Sequence, residues 1–162
     1  MSGTFSLRLG KEDFKFSAAH FTVFSDSEAE PLHGHNYRVT VELIGSEVDD
    51  LDFLIPVNAA KRDIRAECAA LDEQILLPAK CPHLRLTDHG ETMAAVFDSR
   101  RYEFPSPEVV LLPVANVTVE ALARSFWQRL RDRWAHLHDR IDVVEVTVTE
   151  TPGQGASYRR SL

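Results

Sequence analysis

Three histidines, His20, His33 and His35, are the residues of this sequence best suited to chemistry. His33 and His35 flank one glycine in Leu32-His33-Gly34-His35-Asn36-Tyr37. In an extended chain, side chains two residues apart project from the same side. That parity continues through Tyr37, Val39 and Val41, so the pair looks toward an apolar interior. His20 shares its parity with Phe14, Phe16 and Ala18. One such histidine is most simply a core imidazole bonded to a carbonyl. Three of them on the inward faces of two early strands need a common partner, and a divalent metal supplies one. Three histidine ligands with a fourth position open form the donor set of a catalytic, rather than a structural, zinc ion.

Carboxylates supply the remaining candidates. Val144, Val146, Val148 and Glu150 share one parity, so a carboxylate continues an apolar row. A buried carboxylate is costly unless it is paired; Glu150 either has a partner or reaches water at the strand end. Thr118 and Glu120 open a helix, where Thr118 suits an N-cap and Glu120 suits the helix dipole. Glu30 closes an acidic run with Asp26 and Glu28, directly ahead of the histidine pair.

The elements that must position these residues follow from periodicity. Residues 14–20 alternate as a strand, and Phe5, Leu7 and Leu9 alternate in the opposite phase, which places a turn or bulge at Gly10-Lys11-Glu12. Residues 36–45 form a strand, and residues 142–150 form the last one. Helices are expected over 57–71, with Ala60, Ile64, Cys68 and Leu71 as its apolar stripe, and over 118–135, with Leu122, Phe126, Leu130 and Trp134. Residues 84–104 read as a hairpin with turns at Asp88-His89-Gly90 and Asp98-Ser99-Arg100. This order predicts an α+β domain with helices on one face of a mostly antiparallel sheet. The sheet edges left open point to oligomerisation.

Bulk properties bound the function. At 162 residues, one domain spanning 1–162 is expected, large enough to fold without staples. A net charge of −7 argues against a nucleic-acid footprint. The N-terminus has no apolar leader, no run approaches a membrane span, and two cysteines, Cys68 and Cys81, fit a reducing compartment; a cytoplasmic protein is expected.

The segments Phe16-Ser17-Ala18-Ala19-His20-Phe21 and Leu32-His33-Gly34-His35-Asn36-Tyr37-Arg38-Val39 resemble the zinc signature of the 6-pyruvoyl-tetrahydropterin synthases, a family that includes the 6-carboxy-tetrahydropterin synthases. The resemblance implies Zn²⁺ on His20, His33 and His35. It also implies the tunnelling fold, in which trimers close a β-barrel and two trimers stack into a hexamer. Glu150, in Val148-Thr149-Glu150-Thr151-Pro152, then grips the 2-amino and N3 hydrogens of a pterin, and Thr118 and Glu120 lie against the ring.

Two departures from the family pattern bear on the reaction. Ala29 stands where the usual members carry a cysteine, and Leu71-Asp72-Glu73 replaces the usual Leu-Asp-His, so Glu73 stands in for a relay histidine. The run Glu30-Pro31-Leu32-His33-Gly34-His35 is similar to a cysteine-lacking branch, which implies Glu30 as the base; Asp72 and Glu73 then either act as proton shuttles or mark a relay that is gone. That branch cleaves the side chain of 7,8-dihydroneopterin triphosphate to 6-hydroxymethyl-7,8-dihydropterin. The alternatives are 6-carboxy- or 6-pyruvoyl-tetrahydropterin synthesis and a non-catalytic zinc and pterin binder.

Overall fold

The computed structural model describes residues 3–162. Its elements are β1 (Phe5–Leu9), β2 (Lys15–His20), β3 (His33–Gly45), α1 (Val57–Ala69), β4 (Gln74–Pro78), β5 (Arg85–Asp88), β6 (Thr92–Phe97), β7 (Arg100–Pro105), β8 (Val109–Leu112), α2 (Val119–Trp134), β9 (Val143–Thr151) and β10 (Gln154–Ser161). The long β3 organises the sheet. Its near half pairs antiparallel with β2, from Lys15↔Arg38 to His20↔His33, and its far half with β1, from Phe5↔Gly45 to Leu9↔Val41. The phase change at Gly10–Glu12 is thus the break between two segments that flank one strand. Phe14 N–H donates to Lys11 O at 3.0 Å across that turn.

The main sheet has the order β10-β9-β3-β2-β4-β8, with β1 added against β3. The α+β class holds, and both helices pack on one apolar face. The sheet is mixed, however, because β2–β4 and β4–β8 pair in parallel. A parallel pair needs a crossover connection. Helix α1 lies in the first crossover, and β5–β7 lie in the second. The expected 84–104 hairpin is therefore a three-stranded antiparallel sheet of its own, β5-β6-β7, with its turns where the sequence placed them. Strands β4 and β8, of five and four residues, were not legible because each is built on a short apolar run without a period. Strand β10 was not legible because it is a polar edge strand.

The face of the sheet carrying Phe16, Tyr37, Val41, Leu43, Val146 and Val148 packs on Ile64, Cys68, Leu122, Phe126, Leu130 and Trp134 of the helices. Burying each large apolar side chain contributes about 1.5–3 kcal/mol. Glu67 is the charged residue buried in this helix layer. It is 4% exposed, and its carboxylate accepts from Arg133 Nε at 2.7 Å and Arg129 Nη1 at 3.3 Å, pinning α1 to α2. A second apolar cluster, including Phe21, Val23, Leu77, Met93 and Phe97, seats the small sheet under the 21–32 loop. No helix among the described residues is long and apolar enough to cross a membrane.

Candidate metal centre and its pocket

The β2–β3 register makes His20 and His33 direct cross-strand partners and sets His35 opposite Ala18. All three imidazoles therefore leave the sheet on one side. The ring centroids of His20 and His33 are 4.7 Å apart, and those of His33 and His35 are 4.9 Å apart. One ring nitrogen from each of the three lies within 4.8 Å of the others.

Backbone carbonyls fix two of the tautomers. His20 Nδ1 donates to Val117 O at 3.0 Å, and His33 Nδ1 donates to Pro31 O at 2.8 Å. Each Nε2 is then left as a lone pair, an orienting device common to metal-binding histidines. His33 Nε2 faces His35 Nε2 at 3.1 Å. His20 Nε2 is buried without a hydrogen-bond partner among the described residues. A buried polar atom left unpaired costs about 1–3 kcal/mol. Burial, with the neighbouring His33, drives the His20 pKa from 6.5 down to about 4, so the ring is neutral at pH 7. An orphaned, neutral, correctly oriented nitrogen beside two more is the donor set a divalent metal requires, and these residues fit Zn²⁺.

Two carboxylates flank the cluster. Glu30 Oε2 lies 3.9 Å from His33 Nε2 and accepts the Thr22 N–H at 3.1 Å. Burial works to raise the Glu30 pKa, but the Thr22 hydrogen bonds and the fields of His33 and His20 outweigh it, and the carboxyl sits below its ordinary value. On the other side, Glu150 Oε2 lies 3.7 Å from His35 Nε2, with its side chain 12% exposed. Glu150 Oε1 accepts from Gln154 Nε2 across the β9–β10 turn.

His20, Glu30, His33, His35, Thr118, Glu120 and Glu150 share the lining of one cavity of about 310 Å³. Thr118 caps α2, its hydroxyl accepting Ala121 N–H at 3.2 Å. No lysine or arginine is among the described residues lining this cavity.

Asp72 and Glu73 stand apart. Asp72 Oδ1 accepts Ser17 N–H at 2.7 Å, and Glu73 N–H donates to Ser17 O at 2.7 Å. They line a different cleft, of about 510 Å³, with Ser17 and Asn36, whose side chains point away from those of Ala18 and His35. Neither carboxylate lines the three-histidine cavity, although Glu73 shares the lining of another cleft, of about 430 Å³, with His35. Neither cysteine lines the histidine cavity. Cys68 is buried on α1, and burial pushes its thiol up to about 12, which removes it as a nucleophile.

Several residues that hold the site gave no sequence signal. Asn116 Oδ1 accepts from Val23 N–H and Val117 N–H, both at 3.1 Å, and its Nδ2 donates to Val23 O at 2.8 Å. It thereby joins the loop after His20 to the segment that carries the carbonyl partner of His20. An asparagine just before a helix reads only as a loop residue. Gln154 and Arg100 were equally silent, one on the unforeseen edge strand and the other a basic residue at a turn.

Chemically, the arrangement offers a Lewis-acid position with an ionised base on one side. On the other side a carboxylate is set to receive N–H donors. The model of the family described as 6-pyruvoyl tetrahydropterin synthase matches residues 9–161 of this chain. A protein of Methanocaldococcus jannaschii named putative 6-carboxy-5,6,7,8-tetrahydropterin synthase is 33% identical over 149 residues, 91% of each chain. The crystal structure of 6-pyruvoyl tetrahydropterin synthase from Plasmodium vivax superposes with a TM-score of 0.93 at 27% identity and covers 99% of both chains. A variant of that Plasmodium protein, also at 0.93 and with 26% identity over 99% of both chains, carries alanine in place of a glutamate described as a catalytic residue.

Proposed function

The chain belongs to the 6-pyruvoyl tetrahydropterin synthase family, whose members are lyases of pterin metabolism, and on that premise we propose that it is a zinc-dependent lyase cleaving the side chain of 7,8-dihydroneopterin triphosphate to 6-hydroxymethyl-7,8-dihydropterin. The observation that carries this reading is the ionised Glu30 carboxylate standing 3.9 Å from His33 in a cavity that no cysteine lines. The Plasmodium relative, in which a glutamate is described as catalytic, supports the same role for Glu30.

Glu150 accepts the 2-amino and N3 hydrogens of the pterin, a match of one carboxylate to two parallel donors. Thr118 and Glu120 flank the ring. No lysine or arginine among the described residues of this chain lines the cavity, which suits it to the ring and the near end of the side chain. His20, His33 and His35 would hold Zn²⁺, which when bound would supply Lewis acidity beside the substrate side chain. Glu30 takes the proton of the C2′ hydroxyl as general base. The C1′–C2′ bond breaks, the departing fragment keeps an aldehyde at C2′, and the bonding pair enters the conjugated ring. Return of a proton to C1′ completes the hydroxymethyl product. Positioning by Glu150 brings the reacting atoms to the base.

Asp72 and Glu73 serve as proton shuttles if another copy of the chain brings its cleft to this cavity. The main sheet ends in the open strands β8 and β10, which supports a homo-oligomer, a trimer or hexamer, as part of the same proposal.

A second reading, 6-carboxy-tetrahydropterin synthesis, draws on the name of the Methanocaldococcus relative. Product analysis after incubating zinc-loaded protein with 7,8-dihydroneopterin triphosphate separates the two. Hydroxymethyl-dihydropterin, lost in Glu30→Ala, supports the first; a carboxy or pyruvoyl product supports the synthase readings; pterin binding without turnover points to a degenerate binder.

A further inference from the structure

The small sheet β5–β7 plays no part in the proposed chemistry, yet one of its side chains reaches the loop that carries the proposed base. Arg100 stands at the start of β7, just past the Asp98-Ser99 turn, where Asp98 has a φ of +48°. Its Nη2 donates to Ala29 O and its Nη1 to Glu30 O, both at 2.8 Å. A guanidinium bridging two successive carbonyls is a planar, two-pronged contact that lysine cannot reproduce. The guanidinium also lies over the ring of Phe97, 5.3 Å from its centroid, and Phe97 is 1% exposed in the cluster beneath the loop. Arg100 is therefore anchored on a rigid base, not on a mobile surface.

The opposite side of the same residue is held as well. Glu30 N–H donates to Thr22 O at 2.9 Å, and Glu30 Oε2 accepts Thr22 N–H at 3.1 Å. Glu30 thus has its amide and carboxylate tied to Thr22, two residues past His20, and its carbonyl tied to the small sheet. Ala29 and Leu32 pack on the same apolar cluster, and Tyr102 of β7 stacks on Phe21 at 5.4 Å. The small sheet is the seat of the 21–32 loop, and Arg100 is the contact that fixes the peptide planes on either side of the Glu30 Cα.

We propose that Arg100 is a positioning residue for Glu30, holding its backbone so that the carboxylate stays aimed at the histidine cluster. This rests on the reading of Glu30 as the base. Misplacement of a reacting group by about 1 Å costs up to about a hundredfold in rate.

The test is a cycle between Arg100→Met and Glu30→Gln in the zinc-loaded full chain, with single-turnover rates at high enzyme concentration so that slow variants remain measurable. Arg100→Met is expected to lower kcat about tenfold or more while KM stays within about twofold. Bound zinc is expected to stay at the wild-type level. In the Glu30→Gln background the same change is expected to cost less than about twofold, because the two substitutions remove one function. Arg100→Lys, which keeps a cation over Phe97 and one donor, is expected to recover part of the rate, and it serves in place of Arg100→Met should that variant not fold. Equal losses in both backgrounds, a loss confined to KM, or zinc lost in step with activity would overturn the proposal alone. Wild-type turnover in Glu30→Gln would overturn the base assignment and the positioning role with it.

Discussion

The ring of His20 is held by the carbonyl of Val117, 97 residues further along the chain, at 3.0 Å from Nδ1. This one bond orients the most buried of the three proposed ligands and leaves its Nε2 without a protein partner. Replacing His20 with alanine removes a donor and lowers the stoichiometry of bound zinc to near zero, read by elemental analysis of the purified protein. Chelation of wild-type protein lowers its melting temperature, since a ligand bound only by the folded state stabilises it by mass action. Wild-type zinc content in His20→Ala would exclude the three-histidine site.

Glu30→Gln keeps the shape of the side chain and removes its basicity. Turnover falls about 10²–10⁴-fold, the range of general-base contributions. Zinc content and the thermal melt stay near wild type, because Glu30 is not among the three ligands. Steady-state kinetics on dihydroneopterin triphosphate checks the first, and metal analysis the second.

Glu150→Gln replaces a charged acceptor with a neutral amide that presents only one acceptor oxygen. Pterin binding weakens by about 1.5–3 kcal/mol, the size of a hydrogen bond to a charged group. Fluorescence titration with a dihydropterin reads the change. An affinity within about twofold of wild type would exclude Glu150 as the ring anchor, since that difference is under about 0.5 kcal/mol.

Cys68 carries a pH prediction. Burial, aided by the carboxylates of Glu67, Asp13 and Asp72, raises its thiol from 9.0 to about 12 in the folded chain. The unfolded chain therefore releases this proton first. The contribution to stability is complete below pH 9 and is lost as pH rises from 9 toward 12, at most about 1.4 kcal/mol per pH unit. Urea melts at pH 8 and pH 10.5 measure the loss, and Cys68→Ala shows a shallower one. At pH 8 the thiol in native protein does not react with a thiol reagent until denaturant is added.

Asn116→Ala strands the Val23 amide and carbonyl. It destabilises the protein by about 1–3 kcal/mol. Faster amide exchange around Val23, without loss of the helices by circular dichroism, is the expected pattern.

Much of the site was legible because its signal is local. Strand alternation put His20 in phase with Phe16 and Ala18, and His35 in phase with Tyr37 and Val39; burial of Phe16, Ala18, Tyr37 and Val39 bears out that parity. The same logic placed Glu150 at the end of the Val144–Val148 row, where it meets His35. Helix stripes at Ile64–Cys68 and Leu122–Trp134 are both in the core. The short strands β4 and β8 escaped because a short unbroken apolar run has no period to read. Strand β10 escaped because its pairing with β9, not its composition, makes it a strand.

From the sequence alone came the donors and their facing: three imidazoles on inward parities, a carboxylate row-end, a glutamate ahead of the histidine pair, and two amphipathic helices. These follow from rules that act over a few residues. Tertiary structure decided which distant groups meet. Val117 reaches His20 across 97 residues, Arg100 reaches Glu30 across 70, and Asp72 with Glu73 falls outside the three-histidine cavity although the chain order gives no hint of it. Such contacts depend on how crossovers return the chain to the sheet and on which apolar surfaces pack, and no local spacing encodes either.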